Sequence, residues 1–86
     1  MKIKKGFLIR KVGEGYVAVA VGAAGKDFNG LININAAGAW IWEQMKEEIS
    51  ETDLVARMLA RYEDLDRETA EADLKEFLES IAVAVE

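Results

Sequence analysis

Residues 28–42 read FNGLININAAGAWIW, and the hydrophobic period changes midway. Leu31 to Ile34 alternates with period two, the mark of a short strand. Ile32 and Ile34 fall on one side, Leu31 and Asn33 on the other. From Asn35 the period is helical. Asn35 suits an N-cap because its side-chain oxygen can accept from a first-turn N–H. A helix is predicted over about Ala36 to Glu48, with Gly38, Ile41, Trp42, Met45 and Ile49 on one face. Gly38 costs about 1 kcal/mol of helix propensity relative to Ala. The compensation expected is a close approach to the sheet, where a side chain would clash. Trp40 lies off that face, over a secondary cluster or partly exposed.

Upstream the pattern is that of strands. FLIRKV (Phe7 to Val12) is apolar and β-branched, and the Gly13-Glu14-Gly15 stretch marks a tight turn. YVAVAV (Tyr16 to Val21) alternates cleanly, with Val17, Val19 and Val21 on one face and Tyr16, Ala18 and Ala20 on the other. The valines are expected to face the core. GAAGKDFNG (residues 22–30) reads as a loop, with Asn29-Gly30 as a turn signal.

Downstream the pattern is helical. Ser50 can cap a second helix, with Asp53 in the capping-box position and Leu54, Val55, Met58, Leu59 and Tyr62 as its stripe. Asp66 caps a third helix whose acidic first turn suits the positive helix end. Ala70, Leu74, Phe77, Leu78, Ile81 and Val85 form its apolar face. The tail IAVAVE is ambiguous between helix end and short strand. Strands followed by helices argue a single α+β domain over residues 1–86: a three-stranded antiparallel sheet covered by three helices, winged-helix-like in outline.

Composition narrows the chemistry. The 86 residues are 51 % hydrophobic and 31 % charged, a globular balance. A domain this small buries roughly 60–65 % of its unfolded surface, a thin margin that is compatible with a homodimer. With no Cys and no His, disulfides, thiolate sites, the common general base and the common metal ligand are all missing. No apolar run approaches the ~20 residues of a membrane span, and no secretory signal follows the basic first residues, so a cytoplasmic protein away from membranes is expected. Charge is polarised. Residues 1–42 carry six Lys/Arg against two acids, a net of +4, and residues 43–86 carry five against fourteen, a net of −9.

An enzyme is not expected. The acids of the third helix (Glu68, Glu71, Asp73, Glu76, Glu79) mostly lie opposite its apolar stripe, where they solvate the surface. No EF-hand spacing is present, VGEG and GAAGKDFNG match no phosphate loop, and no metal or cofactor is expected. Arg57 and Arg61 share a face of the second helix, but nearby acids (Asp53, Glu63, Asp64) offer them local partners. The acidic third helix would repel a polyanion, so nucleic acid is not the expected partner. A winged-helix-like nucleic-acid binder, or a regulatory protein docking through Trp40, is the alternative.

The strand edge at Leu31 to Ile34 points elsewhere. Its unpaired N–H and C=O groups can receive an extended peptide as a further strand. FNGLININAAGAWIWEQM, ETDLVARMLARYE and DRETAEADLKEFLESI, in that order, resemble the PqqD family over nearly the whole chain. The marks are Ile34-Asn35, Gly38 and Trp42, Tyr62 closing the second helix, and Asp73 with Phe77-Leu78. The resemblance implies a non-catalytic chaperone. It would bind the leader of a ribosomally made precursor peptide and present it to a modifying enzyme, often a radical S-adenosylmethionine maturase, as in pyrroloquinoline quinone biosynthesis. It also implies that the peptide adds beside the third strand and packs against the third helix. The peptide-binding residues expected are then Leu31, Ile32, Asn33, Ile34, Asp73, Leu74, Lys75, Phe77, Leu78 and Ile81. Some relatives swap N-terminal strands between protomers.

Overall fold

The turn at Gly13, whose φ of 59° lies in the left-handed region, folds the first two strands back on each other. A computed structural model describes residues 1–22, 24–27 and 30–86. Strand β1 (Phe7–Val12) pairs antiparallel with β2 (Gly15–Ala20), and β2 pairs antiparallel with β3 (Leu31–Ile34), in the order β1-β2-β3. Helices α2 (Ala36–Gln44), α3 (Glu51–Arg61) and α4 (Arg67–Ser80) follow. The fold is α+β, as expected from strands preceding helices.

Two readings of the first third are corrected. The stretch whose composition predicts a loop contains a short helix, α1 (Ala24–Asp27). The Asn29 turn signal lies outside the described residues. The faces of β2 are also inverted: Ala18 is 1 % exposed, whereas Val17 and Val19 are half-buried and Val21 is exposed. Alanines face the core because the bulk there comes from the helices. Among the described residues Trp42, Met45, Leu54 and Ile81 are the largest fully buried side chains, and only a small residue lets a backbone lie near such groups. Phe7, Ile9, Tyr16, Ile32 and Ile34 complete the inner face. The outer face carries the cross-strand row Leu8, Val19, Leu31.

All three main helices open as their caps predict. The side chains of Asn35, Ser50 and Asp66 accept from the N–H groups of Gly38, Asp53 and Thr69 at 2.8, 3.0 and 2.7 Å. Tyr62 closes α3. Helix α2 stops at Gln44, earlier than its apolar period suggests. The Met45 N–H is shared between the carbonyls of Ile41 and Trp42, and the Met45 carbonyl accepts from Ile3 at 2.9 Å. The N-terminal segment thus takes an acceptor that another helical turn would have used.

That segment is the largest feature the pattern did not show. Residues 1–4 run between the α2–α3 connection and the C-terminal tail. Lys4 donates to Ala84, Glu86 to Lys2 and Ile49 to Met1. Ile3 is buried in the core and forms an antiparallel bridge with Val85. The tail is accordingly a 3-10 turn (Ala82–Ala84) followed by one bridging residue, not a further helical turn.

Candidate functional site

Asn35 marks the point where strand becomes helix. Its backbone is extended (φ −83°, ψ 176°), continuing β3, while its side chain caps the first turn of α2. One residue therefore ends the strand at Ile34 and starts the helix at Ala36. The end of β3 and the N-terminus of α2 then form two sides of a groove whose far wall is α4.

The groove has a volume of about 380 Å³. Asn33, Ile34 and Asn35 line it from the strand, Ala37, Gly38 and Ile41 from α2, and Asp73, Glu76, Phe77 and Ser80 from α4. Its floor is apolar: Ile34 and Ile41 are buried and Phe77 is half-buried. Its rim on α4 is acidic, since Asp73 and Glu76 are exposed and neither joins an ion pair among the described residues. Ser80 donates its hydroxyl to the Phe77 carbonyl at 2.7 Å.

β3 is an edge strand, paired along one side with β2 alone among the described residues. β1 is the opposite edge, but it carries Arg10 and Lys11, charges of the kind that discourage pairing with another chain. Leu31 to Ile34 carries none. Leu31 is 58 % exposed, a large apolar side chain standing at the open margin.

Four of the ten expected contact residues, Asn33, Ile34, Asp73 and Phe77, line this groove together. Leu31 and Ile32 belong to the same strand. The other four lie elsewhere. Leu74 is buried, and with Lys75 and Leu78 it lines a different hollow of about 590 Å³ between α3 and α4. Ile81 is 0 % exposed and plugs the core. The α3–α4 hollow is the larger of the two, yet among the described residues no strand residue lines it, so it offers no sheet ladder for a peptide. The period of α4 predicts a single apolar face, most of it core, with one or two residues lining the groove. In the molecule the side containing Phe77 turns to β3 and the side containing Leu78 turns to α3. Glu76 and Ser80 were not expected in the groove. They follow Asp73 at i+3 and i+7, a spacing that puts all three on one helix face with Phe77.

The arginines of α3 find partners other than the acids expected. Arg57 donates to the Gln44 side chain at 3.0 Å. The Arg61 guanidinium lies 5.2 Å from the centre of the Trp40 ring and 5.6 Å from that of Tyr62. Trp40 is thus half-buried in a secondary cluster. Among the described residues no group of acids is arranged to hold a metal ion, and no helix is long and apolar enough to cross a membrane.

Comparison with known proteins places the chain in a family and a fold. Residues 15–83 match the family model described as coenzyme PQQ synthesis protein D (PqqD). Among solved structures, TbiB1 in complex with the TbiA(beta) leader peptide superposes with a TM-score of 0.74 at 26 % identity, covering 95 % of this chain and 88 % of that one. Comparison with curated proteins gives no match.

Proposed function

Because the chain belongs to the PqqD family, we propose that it is a leader-peptide binding protein. It holds the leader of a ribosomally made precursor as a fourth strand on β3 and presents it to a modifying enzyme. The observation that carries this reading is the open edge of β3 beside an apolar groove walled by α4. An extended peptide needs both features. Main-chain hydrogen bonds supply affinity that tolerates sequence, and pockets for alternate side chains supply selection. TbiB1, similar in fold over nearly the whole chain, is a protein whose structure contains a leader peptide.

The chain's role is binding rather than catalysis. The groove brings together two carboxylates, two amides and a hydroxyl on an apolar floor, a lining suited to holding a strand. The chemistry on the precursor falls to the enzyme partner, for which the family resemblance suggests a radical S-adenosylmethionine maturase. Pyrroloquinoline quinone biosynthesis is the setting that the family's name suggests.

The test is a selection of random peptides of ~15 residues against the full chain, followed by amide mapping of the bound state. Peptides added to β3 will shift and protect amides within Leu31–Ile34 and shift those of Asp73 and Phe77. Selected peptides that leave Leu31–Ile34 silent, or that protect β1 instead, overturn strand addition at this edge.

A further inference from the structure

We propose that this groove selects leaders in which a Lys or Arg stands two residues from an apolar anchor, with Asp73 and Glu76 reading the positive charge. The inference deepens the strand-addition reading above and rests on it. The groove and its open strand edge define the site, and the acids decide which peptide enters.

Ile32 and Ile34 point toward the core, whereas Leu31 and Asn33 point away from it. A strand added beside β3 continues that pleat, so alternate peptide side chains turn toward α4. Successive inward side chains are about 6.6 Å apart. On α4, Phe77 and Asp73 stand four residues apart, about 6 Å along the helix axis. Where the added strand runs along α4, an inward apolar side chain resting on Phe77, Ile34 and Ile41 brings its inward neighbour alongside Asp73 on the acidic rim.

The charge at that rim is single-signed. Among the described residues Asp73 and Glu76 are the charged ones lining the groove, and no Lys or Arg lines it. Lys75 does not balance them, since it lines the hollow on the other side of α4. Both acids are exposed and outside the ion pairs of the described residues, so a peptide cation meets them without displacing an internal partner. The half of the chain that supplies the acids has a net charge of −9, which draws a basic segment in and repels an acidic one.

The test uses the same random peptide selection, run in parallel on the wild-type chain and on Asp73→Asn/Glu76→Gln. Both positions are exposed, and an unchanged melting profile verifies the fold. Wild-type selections will enrich Lys or Arg two residues from Phe, Leu, Ile or Val. The neutralised variant will keep the apolar enrichment and lose the basic one. For a single selected peptide, Lys→Glu will weaken binding to the wild type by about three- to tenfold, and Asp73→Lys/Glu76→Lys will invert that preference. Peptides that protect Leu31–Ile34 but show no charge preference, or prefer acids, overturn this inference and leave strand addition standing. Peptides that bind away from β3 overturn both.

Discussion

Gly38 of α2 lies directly against Phe77 of α4: a β-carbon on Gly38 would stand 2.8 Å from the Phe77 ring and 2.9 Å from the Ile34 side chain. Three elements, β3, α2 and α4, therefore meet at the one residue that has no side chain. Gly38→Ala would gain about 1 kcal/mol of helix propensity. Against that gain, overpacking at a tight contact costs about 1–3 kcal/mol. The Ile34 methyl is held close to its own backbone and cannot swing away. The half-buried Phe77 ring has room on its groove side. Gly38→Ala is expected to destabilise the fold by about 1 kcal/mol net and to weaken peptide binding by occluding the groove. Adding Phe77→Ala should make the pair less destabilising than the sum of the single changes, a coupling that urea unfolding of the four proteins measures. Strict additivity would show that the two residues do not share the space.

Arg61 stacks on Trp40 and Tyr62, and the two rings meet edge to face with centres 6.0 Å apart. Cation–π contacts at partly exposed sites contribute about 0.5–1 kcal/mol. Arg61→Ala is expected to destabilise by that amount, and Arg61→Lys by less, because lysine keeps a cation near the rings and loses only the planar group laid on them. Trp40 should become more solvated while Trp42, 1 % exposed, stays buried. The check is a red shift in tryptophan emission that Trp40→Phe abolishes. An emission spectrum unchanged by Arg61→Ala would place Trp40 outside this cluster.

These contacts show what sequence pattern reveals and what it hides. The Ile34-Asn35-Ala36 junction and the caps at Ser50 and Asp66 were legible because each is a local event, settled by a side chain and an N–H three residues away; the end of α3 is local too, closed by the Tyr62 N–H on the Met58 carbonyl. The faces of β2 were not legible. Alternation identifies two faces, but their assignment depends on what packs against them, and the bulk of Trp42 and Met45 reserves the inner face for Ala18. Ile3 was hidden for a related reason: residues 1–4 form no repeating pattern, and their partners, Met45 and Ala84, are distant in sequence. In the groove, β3 and Phe77 were legible as an edge and an apolar position. That α4 divides its stripe between β3 and α3 depends on the packing angle of two helices, which no single-helix period contains. The acidic rim follows from that same division.

Acid should weaken the fold partly through Asp66. The Thr69 backbone N–H, and then the Thr69 side chain, hold the Asp66 carboxyl below its ordinary value of 3.8. The folded state therefore favours the ionised form more than the unfolded chain does. The stabilisation is complete above the unfolded value and fades as pH falls through the lower folded one. Asp66→Asn keeps a capping oxygen and removes the titration. Between about pH 5 and about pH 2.5 the wild type should lose more stability than Asp66→Asn, as urea midpoints at each pH will show. Glu48 acts in the same direction, held low by its hydrogen bond to the N-terminal amine at 2.8 Å. Equal losses in the wild type and Asp66→Asn would remove Asp66 from the acid response.

Ile3 offers a separation of stability from binding. It is buried among core residues, and its segment bonds to the end of α2 and to the C-terminal tail. Truncating a buried Ile to Ala typically costs about 2–5 kcal/mol, and the cost rises where the surroundings cannot collapse into the cavity. Here the backbone is fixed on both sides, by Met45 accepting from Ile3 and by Ala84 accepting from Lys4 at 2.7 Å. Ile3→Ala is therefore expected to cost about 2–3 kcal/mol, as much as a change within a helix core. Ile3 does not line the β3–α4 groove, so peptide affinity measured well below the melting transition should be unchanged. The comparison with Gly38→Ala is decisive in both directions. If Ile3→Ala weakens peptide binding as strongly as Gly38→Ala does, binding follows global stability and the groove holds no special place. If only Gly38→Ala weakens it, the effect belongs to the space among Ile34, Gly38 and Phe77.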